Sequence, residues 1–268
     1  MDLQGKRVLL SGATGGIGQA IAEQLAARGA KLVLSSRRQE ELQKLAGSLP
    51  GGSQAHEVIV ADLAEPGAAE KLVEDAGDVD VLVANAALPA SGKLDHFSSN
   101  EVQRAIRVNF ESPILMARAM APKLAKKGEG HLVFISSLSG KVGSPRSALY
   151  SSTKFGLRGF AFGLREDLRA HGVGVSIVSP GFVRGAGMWA DAEVEPPPMI
   201  GMTTPAKVAA AVARAIERNR NEITVAPRRQ RFLAEIGYRH PEFAARMQRR
   251  SGAERIASDL AAGQADKR

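Results

Sequence analysis

The sequence predicts an α/β protein with a doubly wound, parallel sheet of about seven strands, flanked by helices in a single domain. Two observations support this fold class. Short runs of Val, Leu and Ile are apolar nearly throughout, as strands buried on both faces of a sheet are. These runs alternate with helical patterns from end to end, and repeated strand–helix–strand units form parallel sheets with right-handed crossovers.

The elements follow in chain order. The predicted strands are Arg7–Ser11, Lys31–Ser36, His56–Ala61, Val79–Ala84, His131–Ser136, Val173–Ser179 and Glu222–Ala226. The predicted helical stretches between them are Gly16–Gly29, Gln39–Ala46, Ser112–Lys127, Tyr150–His171 and Pro205–Asn219. No internal repeat or low-complexity linker divides the chain, so residues 1–226 are predicted to form one catalytic domain.

Two segments depart from the alternation. Residues 185–204 are too long for an ordinary connection, and long connections inside compact domains are usually lids or binding loops. This segment contains apolar side chains suited to a wide substrate pocket, since methionine adapts to irregular ligand shapes: Met188, Trp189, Met199 and Met202. Residues 227–268 form a basic, helical C-terminal extension with apolar positions at Phe232, Leu233, Ile236, Phe243 and Met247.

Composition excludes several classes of protein. The 268 residues are 44% hydrophobic and 24% charged, which is typical of soluble globular proteins. No apolar run approaches the roughly 18–20 residues of a membrane span. The N-terminus runs directly into a strand, so we expect no signal peptide and a cytoplasmic location. Because cysteine is absent, disulfides, thiolate catalysis and Cys-based metal sites are excluded. No metal site is predicted.

The net charge of +8 is concentrated at the C-terminus. Residues 226–268 contain ten Lys and Arg against five Asp and Glu, a net +5. Nucleic acid, an anionic membrane surface or an acidic carrier protein would each be attracted to it. We favour a solvated extension. Nucleic acid is not predicted, because aromatic residues are 4% of the chain, and membrane contact through Phe232–Met247 is the weaker alternative.

A glycine-rich turn follows the first strand and opens the first helix. Gly12, Gly16 and Gly18 would let the backbone approach a pyrophosphate, which the helix N-terminus binds through its free N–H groups. Many glycine-rich turns simply join a strand to a helix. The strand before this turn, the helix after it and the repeated units behind it favour a dinucleotide site of the Rossmann type.

The end of the second strand indicates which dinucleotide is bound. An NAD site places Asp or Glu there to accept a hydrogen bond from the ribose 2′-hydroxyl. This chain has Ser35-Ser36-Arg37-Arg38 instead, and a hydroxyl and a guanidinium suit a 2′-phosphate. The predicted cofactor is therefore NADP(H).

Tyr150 and Lys154 lie four residues apart, and Ser137 lies thirteen residues before Tyr150. Residues four apart project from one face of a helix, so an ammonium would stand beside a phenol. That neighbour favours the phenolate and is expected to lower a tyrosine pKa that is normally about 10. Such a tyrosine exchanges protons with a substrate oxygen near neutral pH. Each residue alone would more often be structural, but their joint occurrence favours a catalytic site.

These motifs resemble those of the short-chain dehydrogenase/reductase family over roughly residues 3–226. The segment Ser11–Gly18 is similar to the family's glycine turn, with Ser for the leading Thr. Asp62-Leu63 is similar to the pair that contacts adenine. Asn85, in Ala84-Asn-Ala-Ala87, is similar to the asparagine of the segment that supports the central sheet, although two of the four positions differ.

The resemblance implies a catalytic tetrad of Asn109, Ser137, Tyr150 and Lys154. Tyr150 would protonate a carbonyl oxygen, Ser137 would bind that oxygen, Lys154 would bind the ribose, and Asn109 would hold a water that links Lys154 to solvent. Gly185 stands where the family usually has a Thr that bonds the nicotinamide carboxamide. The implied cofactor-binding residues are Ser11, Gly12, Thr14, Gly16, Ile17, Gly18, Ser36, Arg37, Asp62, Leu63, Asn85, Ala86, Tyr150, Lys154, Pro180, Gly181 and Val183.

The leading functional prediction is NADPH-dependent reduction of the carbonyl of a bulky, apolar ketone or aldehyde, reversibly oxidation of an alcohol. A 3-oxoacyl reductase and a hydroxysteroid dehydrogenase are alternatives that the sequence leaves open. A nucleotide-binding regulator or scaffold is a non-enzyme alternative, but the intact tetrad disfavours it. The resemblance also implies a homodimer or homotetramer, paired through the helices at Ser112–Lys127 and Tyr150–His171.

Overall fold

A computed structural model describes residues 1–187, 201–250 and 253–264 of the chain. Within them, seven parallel strands form one sheet in the order β3-β2-β1-β4-β5-β6-β7, which confirms the predicted fold class. The strands are β1 Arg7–Ser11, β2 Lys31–Ser36, β3 Glu57–Val60, β4 Val81–Ala84, β5 Gly130–Ile135, β6 Val173–Pro180 and β7 Glu222–Val225.

The helices flank this sheet. They are α1 Gly16–Ala26, α2 Gln39–Ser48, α3 Gly52–Ala55, α4 Ala68–Asp75, α5 Ser99–Ile106, α6 Ser112–Lys127, α7 Ala148–Arg169, α8 Pro205–Glu217, α9 Arg228–Arg239, α10 Pro241–Arg250 and α11 Ala253–Ala262. A π-helical turn, Arg107–Glu111, joins α5 to α6, and short 3₁₀ turns lie at Leu94–His96 and Leu138–Gly140.

Both faces of the sheet are buried, which explains the uniformly apolar strands. In β1, Val8 and Leu10 pack on the side that α1 and α8 cover, whereas Leu9 packs on the opposite side among residues of α4, α6 and α7. Every second side chain of a strand points to the same face, so a strand with two buried faces cannot alternate apolar and polar residues.

The strand order reverses between β1 and β4, and this reversal positions the functional residues. Ser11, the last residue of β1, is in register with Ser35 of β2 and Ala84 of β4. In doubly wound sheets the ligand crevice lies beyond the carboxyl ends of the strands, where the order reverses. The segments that follow Ser11, Ser36 and Ala84 therefore meet at one edge.

Several predicted boundaries differ by one to three residues, and two of these differences have a clear physical reason. The fourth strand begins at Val81 rather than Val79, because the Asp80 carboxylate accepts a hydrogen bond from the Arg7 amide at 2.8 Å and pairs with Lys127. Helix α8 ends at Glu217 rather than Asn219, since Asn219 adopts a left-handed backbone with φ of 45° that a helix cannot continue.

The C-terminal extension folds back on the domain. Gly237 of α9 approaches Val142 so closely that a Cβ there would lie 2.6 Å from its Cγ2 atom. The Gln248 side-chain amide of α10 donates a hydrogen bond to the Gly143 carbonyl at 3.0 Å. These contacts attach α9 and α10 to the loop that precedes α7. None of the helices in the described part of the chain is long and apolar enough to cross a membrane.

Candidate active site

A cavity of about 1340 Å³ lies at the carboxyl edge of the sheet. It extends from the end of β2 past the glycine-rich turn to the start of α7 and the extension. Two predicted site residues, Ser11 and Asn109, do not line it. The predicted residues that do are Gly12, Thr14, Gly16, Ile17, Gly18, Ser36, Arg37, Asp62, Leu63, Asn85, Ala86, Ser137, Tyr150, Lys154, Pro180, Gly181 and Val183.

The glycine-rich turn is shaped by close backbone packing. Gly12 has φ of 66°, and a Cβ on it would lie 2.7 Å from the Ala86 Cα. A Cβ on Gly18 would collide with the Gly12 carbonyl oxygen. Helix α1 begins at Gly16, and the first N–H groups of a helix have no acceptor within it. The turn therefore presents backbone donors and a helix N-terminus to the cavity, a combination suited to phosphate.

Ser11 acts beneath the cavity. Its Oγ accepts hydrogen bonds from the backbone amides of Asn85 and Ala86 at 3.2 and 3.3 Å. The Asn85 side-chain Nδ2 donates to the carbonyls of Ser11 and Gly12 at 3.2 and 3.0 Å. These bonds fasten the turn after β1 to the segment after β4.

The two arginines after β2 have different environments. The Arg38 guanidinium donates to the Thr14 carbonyl at 3.2 Å and to its hydroxyl at 2.9 Å, so this side chain braces the glycine-rich turn. The Arg37 side chain is 55% exposed and lies 3.9 Å from the Asp62 carboxylate. Arg38 also lines the cavity although it was not among the predicted site residues. The sequence feature that could have identified Arg38 is its position next to Arg37, directly after the second strand.

Tyr150 and Lys154 belong to the buried face of α7, together with Leu157 and Ala161 at helical spacing. Lys154 is only 2% exposed, and its Nζ donates to the Ile135 carbonyl at 3.0 Å. The same Nζ lies 5.8 Å from the centre of the Tyr150 ring. The helix thus places a phenol and an ammonium side by side, as their spacing predicts.

The pKa of Tyr150 differs from the expectation. Burial raises it to about 12, and the hydrogen bond with Ser137 offsets only part of that rise. Burial also lowers the pKa of Lys154 to about 8. The free-energy cost of removing the phenolate from water exceeds the stabilisation that its neighbours provide. At neutral pH Tyr150 is therefore a neutral phenol, while the ammonium form of Lys154 predominates.

The loop after β5 fixes Ser137 against α7. The Ser137 Oγ accepts a hydrogen bond from the Ser139 amide at 3.1 Å and is hydrogen-bonded to the Tyr150 side chain. Its neighbour Ser136 donates to the Lys154 carbonyl at 3.2 Å. A Cβ on Gly140 would lie 2.7 Å from that carbonyl oxygen, so the loop fits there only with glycine. Ser137 and Tyr150 are thus held with their hydroxyl groups together.

Asn109 lies fully buried in the π-helical turn. Its Oδ1 accepts from the Leu88 amide at 2.7 Å, and its Nδ2 donates to the Leu88 carbonyl at 2.9 Å. The side chain therefore fixes the segment after β4, and Leu88 rather than Asn109 lines the cavity. Its predicted role in holding a water stays a prediction.

The far wall of the cavity comes from the extension, so the prediction that this extension is solvated is wrong for its inward face. Phe232 and Phe243 point outward and are 66% and 52% exposed. The residues that face the cavity could not be identified from the sequence, because apolar spacing alone does not show what a helix packs against. Those that line the cavity from α9, α10 and α11 are Arg229, Gln230, Leu233, Ala234, Ile236, Ala244, Met247, Gln248, Ala257 and Leu260.

Part of the predicted lid is described. Gly185 has φ of 68° and open space around its Cα, and Ala186 packs directly against Gly16 of the turn. Met188, Trp189 and Met199 lie outside the described residues. Within the described ranges, no group of three or more His, Cys, Asp or Glu could hold a metal ion.

The chain is similar to known proteins in both sequence and structure. A family model described as short chain dehydrogenase matches residues 6–196. A protein of Nostoc sp. (strain PCC 7120) named ketoacyl reductase HetN is 34% identical over 227 residues, covering 83% of this chain and 79% of that protein.

Solved structures are also similar over most of the chain, and two of them contain a cofactor. A metagenomic short-chain oxidoreductase in complex with NADP has a TM-score of 0.71 and 31% identity, over 85% of this chain and 99% of that one. A short-chain dehydrogenase from Sphingobium yanoikuyae in complex with NADPH has a TM-score of 0.75 and 26% identity, over 93% and 94% of the two chains.

Proposed function

Because this chain belongs to the short-chain dehydrogenase family, we propose that it uses NADP(H) to reduce the carbonyl group of a bulky, apolar ketone or aldehyde. In reverse it oxidises the corresponding alcohol. One observation supports this above all. The hydroxyls of Tyr150 and Ser137 and the ammonium of Lys154 are assembled at one end of a cavity whose other end is bordered by Arg37.

The residues along the cavity fit NADP(H). The packed turn at Gly12 and the N-terminus of α1 suit the pyrophosphate. Ser36 and Arg37 border the cavity where a carboxylate would select NAD, and Arg37 suits a 2′-phosphate. The similar structures that contain NADP and NADPH support the same choice.

Bound NADPH supplies the hydride, and the chain aligns the carbonyl and moves the proton. The Tyr150 phenol donates its proton to the carbonyl oxygen. Its pKa of about 12 keeps the proton on the phenol at neutral pH until a carbonyl oxygen that gains negative charge can accept it. Ser137 hydrogen-bonds the same oxygen, where negative charge develops. The adjacent ammonium of Lys154 stabilises the phenolate that remains.

The lining of the cavity favours a bulky, apolar substrate. Beyond Tyr150, the walls include Val142 and Leu88 of the domain and Leu233, Ile236 and Leu260 of the extension. Apolar walls with a few polar groups at the reacting end are typical of small-molecule sites. A small polar carbonyl compound would leave much of this surface uncovered.

A 3-oxoacyl reductase is the second candidate, because the Nostoc relative is named a ketoacyl reductase. The chemistry at Tyr150 would be the same, and the acyl chain would occupy the apolar walls. A hydroxysteroid would fit the same description. A nucleotide-binding regulator without activity is the remaining alternative.

The test measures NADPH oxidation by nicotinamide absorbance with matched panels of bulky ketones, steroid ketones, 3-oxoacyl thioesters and small polar ketones. Preference for bulky, apolar ketones supports the proposal, and preference for thioesters selects the second candidate. Tight NADPH binding without turnover of any of these compounds would favour the alternative of a nucleotide-binding regulator.

We also propose that the chain assembles as a homodimer or homotetramer through α6 and α7. Phe155 of α7 is substantially exposed, as an interface residue would be in an isolated protomer. Light scattering after size exclusion tests this, with Phe155→Asp expected to release protomers. A wild-type monomer would contradict it.

A further inference from the structure

Gln230 is a buried polar residue in the first turn of α9, and none of the motifs in the sequence points to it. It is 4% exposed, yet it lines the cavity. Its Oε1 accepts a hydrogen bond from the Phe182 amide at 3.4 Å, and its Nε2 donates to the Gly201 carbonyl at 2.5 Å. A side-chain amide supplies a donor and an acceptor at once, which these two partners require.

The Gln230 side chain rests on the turn that ends β6. A Cβ on Gly181 would collide with the Gln230 Oε1, so glycine at 181 and glutamine at 230 fit each other. The Gly181 amide donates to the Val225 carbonyl at 3.0 Å, which fastens the turn to the end of β7. Pro180 and Gly181 line the same cavity as Tyr150. They end β6, which pairs with β5, and the loop after β5 holds Ser137 against Tyr150, so we expect the nicotinamide end of the cofactor to lie beside them.

Residues 201–204, the described end of the predicted lid segment, are bound to the same turn. Thr203 donates its amide to the Phe182 carbonyl at 2.7 Å, and its carbonyl accepts from the Arg184 amide at 2.9 Å. Gly185, just beyond, has no side chain with which to contact a cofactor. Gln230 therefore joins three pieces of chain: the turn after β6, the end of the predicted lid segment at Gly201, and the extension.

We infer that Gln230 is a positioning residue that couples the extension to the turn beneath the nicotinamide, so that α9 sets the alignment of the cofactor for hydride transfer. This inference rests on the proposed function. Gln230 acts through the backbone of Phe182 and Gly201, not on the reacting atoms. A purely structural role would stabilise the fold without affecting the nicotinamide once the fold is intact.

The position of Gln230 predicts a selective defect. The adenosine and phosphate groups would be held at the distant end by Arg37 and the glycine-rich turn, so loss of Gln230 should barely change NADPH affinity. The nicotinamide would be misaligned, and a displacement of about 1 Å can reduce the rate by about 100-fold. The expected result is a fall in kcat of about tenfold to 100-fold with little change in the Kd for NADPH.

The experiment compares Gln230→Leu and Gln230→Met with Phe232→Ala, an exposed substitution two residues away on the same helix. Both Gln230 variants lack the amide, and the Met variant keeps the length and flexibility of the side chain. Thermal unfolding first establishes that each variant is folded. If the Leu variant does not fold, the Met variant decides.

Two readouts are taken on the full-length chain: the Kd and emission spectrum of bound NADPH, and kcat with the best ketone. We expect both Gln230 variants to bind NADPH, with the emission of bound nicotinamide shifted towards that of free cofactor and kcat reduced. Phe232→Ala should match the wild type. Wild-type emission and kcat in a folded Gln230 variant, or equal losses in Phe232→Ala, would overturn the inference.

The emission readout needs no substrate, so it separates this inference from the proposed function. Absence of turnover by the wild type would contradict the proposed function. A shifted emission in the Gln230 variants would still support the coupling of α9 to the nicotinamide turn, and an unshifted emission would refute it.

Discussion

Replacing Arg37 with alanine is expected to weaken NADPH binding about tenfold and to leave NADH binding unchanged. The two arginines after β2 differ in what they already bind. Both side chains are about equally exposed, but Arg38 donates two hydrogen bonds to Thr14 and pairs with Glu41 at 2.9 Å, whereas Arg37 pairs with Asp62 at the longer distance of 3.9 Å. Arg37 is thus the guanidinium available to a 2′-phosphate.

The magnitude follows from the exposure of this contact. A hydrogen bond between charged groups contributes about 1.5–3 kcal/mol to stability or binding. Because the Arg37 side chain is 55% exposed, solvent screening places the effect at or below the lower end of that range. Since about 1.4 kcal/mol corresponds to tenfold in Kd, roughly tenfold is expected. NADH has no 2′-phosphate and loses nothing.

The assay is titration by nicotinamide fluorescence, with NADPH and NADH, of the wild type, Arg37→Ala and Lys44→Ala. Lys44 is an exposed cation on α2 that does not line the cavity, so its removal controls for the general change in charge. Equal losses for both nucleotides, or an equal loss in Lys44→Ala, would refute the reasoning.

Two further predictions concern the cavity wall and the core. Leu233→Trp fills the cavity from α9, so kcat/KM for bulky ketones should fall at least about tenfold while small ketones and NADPH binding are retained; the outward Phe232→Ala is the control, and a uniform loss would contradict the assigned wall. His131 is buried with its Nε2 2.7 Å from the Ser176 hydroxyl, and burial lowers its pKa from 6.5 to about 3. The unfolded chain therefore binds a proton that the folded chain does not, so folding stability should fall by up to about 1.4 kcal/mol per pH unit as pH decreases below 6.5 towards 3. Urea unfolding at several pH values should show a shallower decline for His131→Asn, and parallel slopes would exclude this contribution.

The fold and most of the candidate site follow from local patterns. The glycine-rich turn between β1 and α1 and the spacing of Tyr150 and Lys154 are both features of consecutive residues. Such features can be predicted because their geometry depends only on the turn or helix that contains them. The sequence therefore predicts the sheet, the turn and the catalytic face of α7.

The rest depends on contacts between distant segments. Leu233 lines the cavity, and Gln230 contacts the turn after β6, only because α9 folds back across the loop at Val142. The pKa of Tyr150 rises because the surrounding fold buries it, which its spacing from Lys154 cannot reveal. Asn109 likewise turns to Leu88, a residue that reaches it from another part of the chain.

We propose above all that Tyr150 donates the proton in an NADPH-dependent reduction. The most direct test is Tyr150→Phe, assayed for NADPH binding and for single-turnover NADPH oxidation with the best ketone. We expect unchanged NADPH affinity and a rate lower by about 10²–10⁴-fold, the usual contribution of general acid catalysis. A Tyr150→Phe enzyme that binds NADPH and retains the wild-type rate would contradict it.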